Sequence, residues 1–208
     1  MINADKFNGT LVTFSYLVIL ISCTNGKQSR FNSEPSPKRR LEVYNNLDSV
    51  YNNKDNAKEV ELGFIKDGFP VKLLECLQLE KIKILYSQID SIPSEIIKLK
   101  KLKSLEVSYS NLEYVPKEVG GLMNLENLDF AYNNLKTIPT SIGNLINLRS
   151  LRLHGNTLNS LDLSICNLQN LKLLSLSYFY GNNHIDSNTY AKLKFCLPYT
   201  AIALRPIE

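Results

Sequence analysis

Apolar residues recur with a 23-residue period through the second half of the chain. Five leucines head successive copies of the pattern: Leu79, Leu102, Leu125, Leu148 and Leu171. After each head, two apolar residues are separated by a single residue, as in Leu105 and Val107. This alternation is typical of a strand with one buried face, so each copy is predicted to contribute one short strand to a sheet.

Each strand is followed by a polar residue at a constant distance from the head, and in most copies by a proline. The polar positions are Ser87, Ser110, Asn133 and Asn156, and the prolines are Pro93, Pro116 and Pro139. Asparagine and serine side chains can bond the buried backbone groups of a turn. Proline fixes φ at a place where no backbone donor is needed. We therefore predict a turn after each strand, with the four polar residues forming a structural ladder inside the molecule.

This combination of positions resembles the leucine-rich repeat family in its 23-residue form, with an Ile-Pro-x-x-Ile segment on the convex side. The resemblance implies an α/β fold, a right-handed leucine-rich repeat solenoid. Its concave face would be a curved parallel sheet, and its convex face would carry short 3-10 or irregular segments. One repeat cannot bury its apolar face alone, so stacked neighbours and atypical end units must supply the stability.

The segment upstream of the repeats is predicted to form an N-terminal cap over residues 41–78. Apolar residues within residues 41–53 recur at helical spacing, which predicts an amphipathic capping helix. A shortened repeat containing Val60, Leu62 and Phe69 completes this cap. Five full repeats, residues 79–178, follow it.

Residues 179–208 are predicted to form a C-terminal cap. Phe179 stands where the fifth repeat should have its ladder asparagine, and the turn that follows is lengthened. Residues 186–195 are predicted to form a short helix. Residues 200–204 resemble the strand that ends many bacterial members of the family.

The N-terminus carries an apolar run, residues 11–21, which is shorter than the roughly 20 apolar residues that span a bilayer. It fits the hydrophobic region of a signal peptide over residues 1–22. The sequence Leu-Ile-Ser-Cys at residues 20–23 resembles the lipobox of bacterial lipoproteins, which implies lipidation of Cys23. Thr24, rather than an aspartate, follows this cysteine, and by resemblance to enterobacterial lipoproteins it favours the outer membrane. An unprocessed hydrophobic tail and an ordinary signal peptide are the alternatives.

Composition changes this picture little, since 44% hydrophobic and 21% charged residues are ordinary for a globular protein. The formal net charge of +4 comes largely from the segment after Cys23. Together with Cys23, residues 24–40 are predicted to form a lipidated, disordered linker. It is interpreted as a solvated spacer, with attraction to an anionic surface as the alternative. Phe31 is its only aromatic residue, so no nucleic-acid partner is expected.

The remaining cysteines and histidines do not suggest a metal site or a cofactor. Cys76 occupies a repeat position held elsewhere by leucine, so it is interpreted as a small core residue. Cys166, one repeat before the C-terminal cap, and Cys196 within that cap are the candidate pair for a disulfide. His154 and His184 lie in different repeats without companion ligands, and no zinc spacing is present.

The concave face is the predicted site of function, because a solenoid presents it as one continuous surface. Two sets of residues stand out on it. One is an aromatic column of Tyr86, Tyr109, Tyr132 and Tyr178, extended upstream by Phe64; the other is a charged set of Glu106, Asp129, Arg152 and His154. The column serves either as a partner contact or as structural filler that stabilises the sheet edge. Gly155 interrupts it and is expected to leave a notch bordered by positive charge.

No nucleophile, base and orienting group occur together in a motif, so no enzymatic activity is expected. Glu106 and Asp129 lie on adjacent strands, where one carboxylate can raise the pKa of the other, but such pairs are more often solvated. The sequence therefore favours a membrane-tethered, monomeric recognition module that binds a protein or peptide through the concave face. The alternative is a cytosolic scaffold that regulates a signalling partner.

Overall fold

The structure, a computed structural model, describes residues 43–176, 183 and 185–203. Within these residues, eight parallel strands form one sheet in which each strand neighbours the next along the chain. The strands are β1 (Val43–Tyr44), β2 (Glu59–Gly63), β3 (Lys81–Leu85), β4 (Ser104–Ser108), β5 (Asn127–Asp129), β6 (Ser150–Arg152), β7 (Leu173–Ser175) and β8 (Ala201–Ala203). The predicted leucine-rich repeat solenoid is confirmed.

The alternating apolar residues point into the molecule, as the period predicts. In β4, Leu105 and Val107 are fully buried while Glu106 between them is half-buried on the other face. The 23-residue register makes residues of neighbouring strands pair at equal offsets, for example Leu105 with Leu128. Equivalent side chains therefore stack in rows along the solenoid, and one apolar core runs through all of the repeats.

Short 3-10 helices lie across from the sheet and close the core. They span Val71–Glu75, Ser94–Lys98, Lys117–Gly121, Thr140–Asn144 and Leu163–Asn167. A proline precedes each of the first four, because its fixed φ suits the entry to the helix. Pro93, Pro116 and Pro139 have extended backbone angles, whereas Pro70 has a ψ of 87°. In the fifth, Asp162 takes this place and its side chain accepts a hydrogen bond from the Ser164 amide at 2.8 Å.

Glycine permits the close approach of neighbouring 3-10 helices. A Cβ atom on Gly120 would lie 2.2 Å from the carbonyl oxygen of Ser141, and one on Gly143 would lie 2.4 Å from that of Ser164. The fifth helix carries Cys166 at the equivalent position, and this cysteine is disulfide-bonded to Cys196 of the C-terminal cap. Ile97 holds the equivalent position in the second helix, where Gly121 of the next helix leaves room for its side chain. Cys166 is followed by the C-terminal cap instead of another 3-10 helix.

The N-terminal cap differs from the predicted helix over residues 41–53. Val43–Tyr44 forms β1, which pairs with Glu59 and Val60 and so extends the sheet by one strand. The helix α1 spans only Leu47–Asn52. Asn46 stops the extended segment and starts the helix, since its side chain accepts a hydrogen bond from the Ser49 amide at 2.7 Å.

The C-terminal cap consists of helix α2, Ser187–Cys196, and strand β8. Asp186 caps the helix, accepting a hydrogen bond from the Thr189 amide at 2.9 Å. Both elements agree with the prediction to within about one residue. The predicted signal peptide, the linker and Cys23 lie outside the described residues. In the part of the chain that is described, no helix is both long enough and apolar enough to cross a bilayer.

Candidate functional site

The four residues of the predicted polar ladder, Ser87, Ser110, Asn133 and Asn156, are all buried. The Asn156 amide is representative: its Oδ1 accepts from the Leu135 amide at 3.0 Å, and its Nδ2 donates to the carbonyl oxygens of Phe130 and Leu153, both at 2.8 Å. It thereby links its own turn to the turn and strand of the preceding repeat. Ser110 and Ser87 make a simpler link, in which the Ser87 amide donates to Ser110 Oγ at 3.2 Å.

Asn183 continues this ladder and was not predicted. Its Oδ1 accepts from the Leu158 amide at 2.8 Å, and its Nδ2 donates to the carbonyl oxygens of Leu153 and Leu176. Asn156 lies three residues after Leu153, whereas Asn183 lies seven after Leu176. The four additional residues displaced the asparagine from the expected offset, which is why Phe179 occupied that offset in the sequence.

Phe64, Tyr86, Tyr109 and Tyr132 form a continuous stack of rings along one edge of the sheet, which we call the aromatic stack. Successive ring centroids are 5.8, 5.0 and 4.4 Å apart, with planes inclined by no more than 29°. His154 closes the stack, with its ring edge-on to Tyr132 at 5.0 Å. Tyr178 lies outside the described residues.

All four aromatic residues of the stack adopt a left-handed backbone, with φ between 50° and 58°. Gly155 takes the equivalent position in the next repeat with φ of 70°. This conformation costs a residue with a Cβ roughly 1 to 2 kcal/mol, and glycine much less. Stacking of one aromatic pair stabilises the fold by roughly 0.5 to 1.5 kcal/mol. The two terms are of similar size, so local stability alone gives little reason for an aromatic residue at these positions.

Among the described residues, no positively charged notch forms at Gly155. A Cβ atom on Gly155 would lie 2.6 Å from Cδ1 of Tyr132, so the tyrosine ring already covers this glycine. Burial holds the pKa of the His154 imidazole below its ordinary value, and its Nδ1 lies 2.9 Å from Ser175 Oγ. His154 is therefore neutral at pH 7. The Arg152 guanidinium is paired with Asp129 at 3.4 Å.

Charged side chains form a second line across the sheet, parallel to the aromatic stack, which we call the charged row. Its members occupy paired positions on β2 to β6: Glu61, Lys83, Glu106, Asp129 and Arg152. Lys83 Nζ lies 2.7 Å from Glu61 Oε1, and Arg152 pairs with Asp129. Glu106 Oε1 accepts a hydrogen bond from Ser108 Oγ at 3.1 Å.

Burial, together with the neighbouring Asp129 carboxylate, raises the pKa of Glu106 above its ordinary value of 4.5. The folded chain thus holds this proton more tightly than the unfolded chain does. Ionisation of Glu106 consequently lowers stability as the pH rises from about 4.5 through the raised pKa, and the loss is fully present above it.

We expect Glu106→Gln to raise the midpoint of thermal unfolding at pH 7, with a gain that shrinks as the pH falls below 4.5, where Glu106 is protonated in both states. Unfolding curves at a series of pH values measure this. Glu126→Gln serves as the control, because the Glu126 side chain is more exposed and pairs with Arg149 at 3.4 Å. A gain that is equal at every pH would contradict the expectation.

No group of three or more histidine, cysteine or acidic side chains suited to a metal ion occurs among the described residues. Cys76 is buried and forms no disulfide; its thiol donates to the Lys72 carbonyl oxygen at 3.8 Å, and burial raises the pKa of the thiol. On the described part of the sheet face, the candidates for function are therefore the side chains of the aromatic stack and of the charged row.

The fold and the repeated turn chemistry define a protein of the leucine-rich repeat class. A model of the leucine-rich repeat region matches residues 68–197, which is more than half of the 208-residue chain. The chain thus belongs to the leucine-rich repeat family. No curated protein matches the sequence.

Several solved structures share the fold. An internalin, inlF, from Listeria monocytogenes str. 4b F2365 has 15% identity and a TM-score of 0.57, over 72% of this chain and 40% of the internalin. The plant peptide hormone receptor RGFR1, solved in complex with RGF2, has 25% identity and a TM-score of 0.60, over 77% of this chain and 26% of the receptor. PEPR1, in the structure of PEPR1-AtPEP1, has 23% identity and a TM-score of 0.61, over 77% of this chain and 23% of that one. The chain spans less than half the length of each of these proteins.

Proposed function

We propose that this protein is a recognition module that binds a protein or peptide through the concave face of its sheet. The observation that carries the proposal is the aromatic stack in its left-handed backbone. Four successive repeats keep a large ring where the backbone favours glycine. Tyrosine supplies rigid, amphipathic contact area at a low entropic cost, which suits the centre of an interface.

The stacking geometry also restricts the kind of contact. Ring faces inside the stack are 4.4 to 5.8 Å apart at their centroids, so they cover one another. Tyr109 is still 37% exposed, and its accessible part is therefore mainly its edge and hydroxyl. Edges and hydroxyls suit the carbonyl groups and polar side chains of a polypeptide, whereas stacking on a sugar or a nucleobase needs a free ring face. RGFR1, whose structure contains RGF2, lends further support, since it is a peptide hormone receptor with the same fold.

The test is selection of a displayed library of random peptides against the full chain, followed by affinity measurements on Tyr109→Asn with Tyr132→Asn. Asparagine tolerates the left-handed backbone better than most residues, so the change removes the rings while keeping the turn. We expect selected peptides to lose affinity by about tenfold or more on this double variant, with little change in its thermal unfolding.

Tyr114→Asn is the matched control, because Tyr114 is a 60% exposed tyrosine outside the aromatic stack. Selected peptides should bind this variant as they bind the unaltered chain. Equal binding to all three proteins, or the absence of any enriched peptide, would refute recognition by the stack. If the double variant failed to fold, the rings of Tyr109 and Tyr132 would be needed for the structure, and the proposed role in binding would be refuted.

We further propose that the module is tethered to a bacterial cell envelope, with the outer membrane favoured, through acyl chains on Cys23. The disulfide between Cys166 and Cys196 supports an exported protein, because such bonds persist in oxidising compartments and are rare in the cytosol. It favours this location over the alternative of a cytosolic scaffold.

Intact-mass spectrometry of the protein from its native membrane fraction tests the tether. The expected mass corresponds to cleavage before Cys23 with added acyl groups, and a Cys23→Ser variant should lack the acyl mass. A full-length, unmodified chain in the soluble fraction would overturn the tether and favour the cytosolic scaffold.

A further inference from the structure

The charged row has an excess of negative charge, although the whole chain has a formal net charge of +4. Three of its members are acidic, Glu61, Glu106 and Asp129, and two are basic, Lys83 and Arg152. The neighbouring outward pair, Glu59 and Lys81, is balanced, with 3.8 Å between its charged atoms. Any pairing of the side chains in the row therefore leaves one carboxylate without a cation.

The observed pairing leaves Glu106 as that carboxylate. Lys83 lies on the strand between Glu61 and Glu106 and is bound to Glu61 at 2.7 Å. Arg152 is bound to Asp129. Among the described residues, no basic side chain comes within 4.0 Å of the Glu106 carboxylate, which is bonded only by the Ser108 hydroxyl.

Partial burial makes an unpaired carboxylate costly in the free protein, and a cation placed on it would relieve this cost. The same burial raises the pKa of Glu106, as described above. A surface carboxylate in water lacks this driving force, because solvent and salt screen its charge. Glu106 is thus the member of the row with the most to gain from a basic partner.

We propose that Glu106 binds an arginine or lysine side chain of the partner polypeptide while the adjoining part of that polypeptide lies along the aromatic stack. Tyr109 follows Glu106 by three residues and is the first residue after the end of β4, which places the two residues about 10 Å apart. An extended segment of three or four residues covers that distance. The partner is therefore a segment with a basic residue a few positions from its contact with the tyrosines. This inference rests on the proposed function and specifies its ligand.

Three peptide libraries test the charge preference on the full chain. They are identical except that one encodes arginine and lysine at the varied positions, one encodes glutamine, and one encodes glutamate. We expect only the basic library to yield peptides whose binding depends on Tyr109 and Tyr132. Tyrosine-dependent binders that arise equally from the neutral or acidic library would overturn the inference and leave the proposed function intact. The absence of tyrosine-dependent binders from every library would instead refute the proposed function.

Variants of the charged row test the position of the cation with the selected basic peptides. Glu106→Gln should weaken binding by about tenfold, since it removes a charge-assisted hydrogen bond. Replacing the basic residue of the peptide by glutamine should cause a similar loss on the unaltered chain and little further loss on Glu106→Gln. Lys83→Met should strengthen binding, because it raises the acidic excess. Glu126→Gln makes the same change in net charge away from the row and should leave binding unchanged.

If Glu106→Gln and the peptide substitution each lowered the affinity by the same factor whether or not the other change was present, the cation of the peptide would bind elsewhere. If Glu126→Gln weakened peptide binding as much as Glu106→Gln, the preference for basic peptides would reflect the net charge of the protein and not a contact with Glu106. Either outcome overturns the assignment of Glu106. Binding should also weaken as the pH falls through the raised pKa of Glu106, because the protonated carboxyl no longer attracts a cation.

Discussion

Leu128→Asp is expected to unfold the central repeats. Leu128 is 1% exposed on β5 and pairs in register with Leu105 and Leu151 of the neighbouring strands. The substitution removes a leucine from a continuous core and places a carboxylate there without a partner. Together these changes cost about 5 kcal/mol or more, which is comparable to the whole stability of many domains. Circular dichroism and thermal unfolding measure the loss.

Asn127→Asp is the matched control for this prediction. Asn127 precedes Leu128 on the same strand and is exposed, so the same new side chain should be tolerated there. The repeats of a solenoid depend on their neighbours, and damage at β5 should therefore reduce protection from hydrogen exchange in β4 and β6 as well. A folded Leu128→Asp variant with an unchanged unfolding midpoint would refute the register of the core.

Asn156→Leu is expected to destabilise the protein by about 2 kcal/mol or more. The leucine would leave the Leu135 amide without the acceptor that Asn156 supplies. The carbonyl oxygens of Phe130 and Leu153 would each lose one of two hydrogen bonds, because Asn133 and Asn183 also donate to them. Each buried backbone group that loses its hydrogen bond costs roughly 1 to 3 kcal/mol. The gain in apolar character does not offset this, because the carbonyl and amide groups remain in the core. Denaturant titration of the purified variant gives the free energy of unfolding.

Asn134→Leu provides the comparison, since Asn134 is an exposed asparagine next to the polar ladder. A small change in stability is expected for this variant. If the two substitutions proved equally mild, the backbone groups around Asn156 would have to find other partners, and the ladder would not be a main source of stability. If Asn156→Ser were much more stable than Asn156→Leu, the serine hydroxyl would be supplying hydrogen bonds in place of the asparagine amide. Ser110 has this role in its own repeat.

The core and the aromatic stack could be predicted from the sequence because both depend on period alone. Leu105 and Leu128 occupy the same offset and are paired in the sheet, and Tyr86 and Tyr109 occupy a common offset and are stacked. A repeat position has the same surroundings in each copy, so the reading of one copy transfers to the others. This holds as long as the length of the turn is constant.

Features that break the period could not be predicted in the same way. Asn183 restores the polar ladder after four additional residues, and only its hydrogen bonds identify it. The apolar spacing predicts a helix at Val43, because it does not reveal the pairing of this residue with Glu59. The pairing of Lys83 with Glu61 rather than Glu106 is a choice between two neighbours at the same offset. Such choices depend on side-chain geometry, which the pattern of residues does not contain.

The cysteine at position 166 also bears on how an array of this kind can grow by duplication. A copied unit that carries glycine at the position of Gly120 and Gly143 can be followed by another unit, because the next 3-10 helix approaches to within 2.4 Å of where a Cβ atom would be. A copy of the last unit would bring the Cys166 side chain into that space. Gene duplications that lengthen the solenoid are therefore expected to arise from the units that carry Gly120 and Gly143. Ile97 holds the same repeat position one unit earlier, and there the following unit supplies the room, because a Cβ atom on Gly121 would lie 2.8 Å from Ile97 Cδ1.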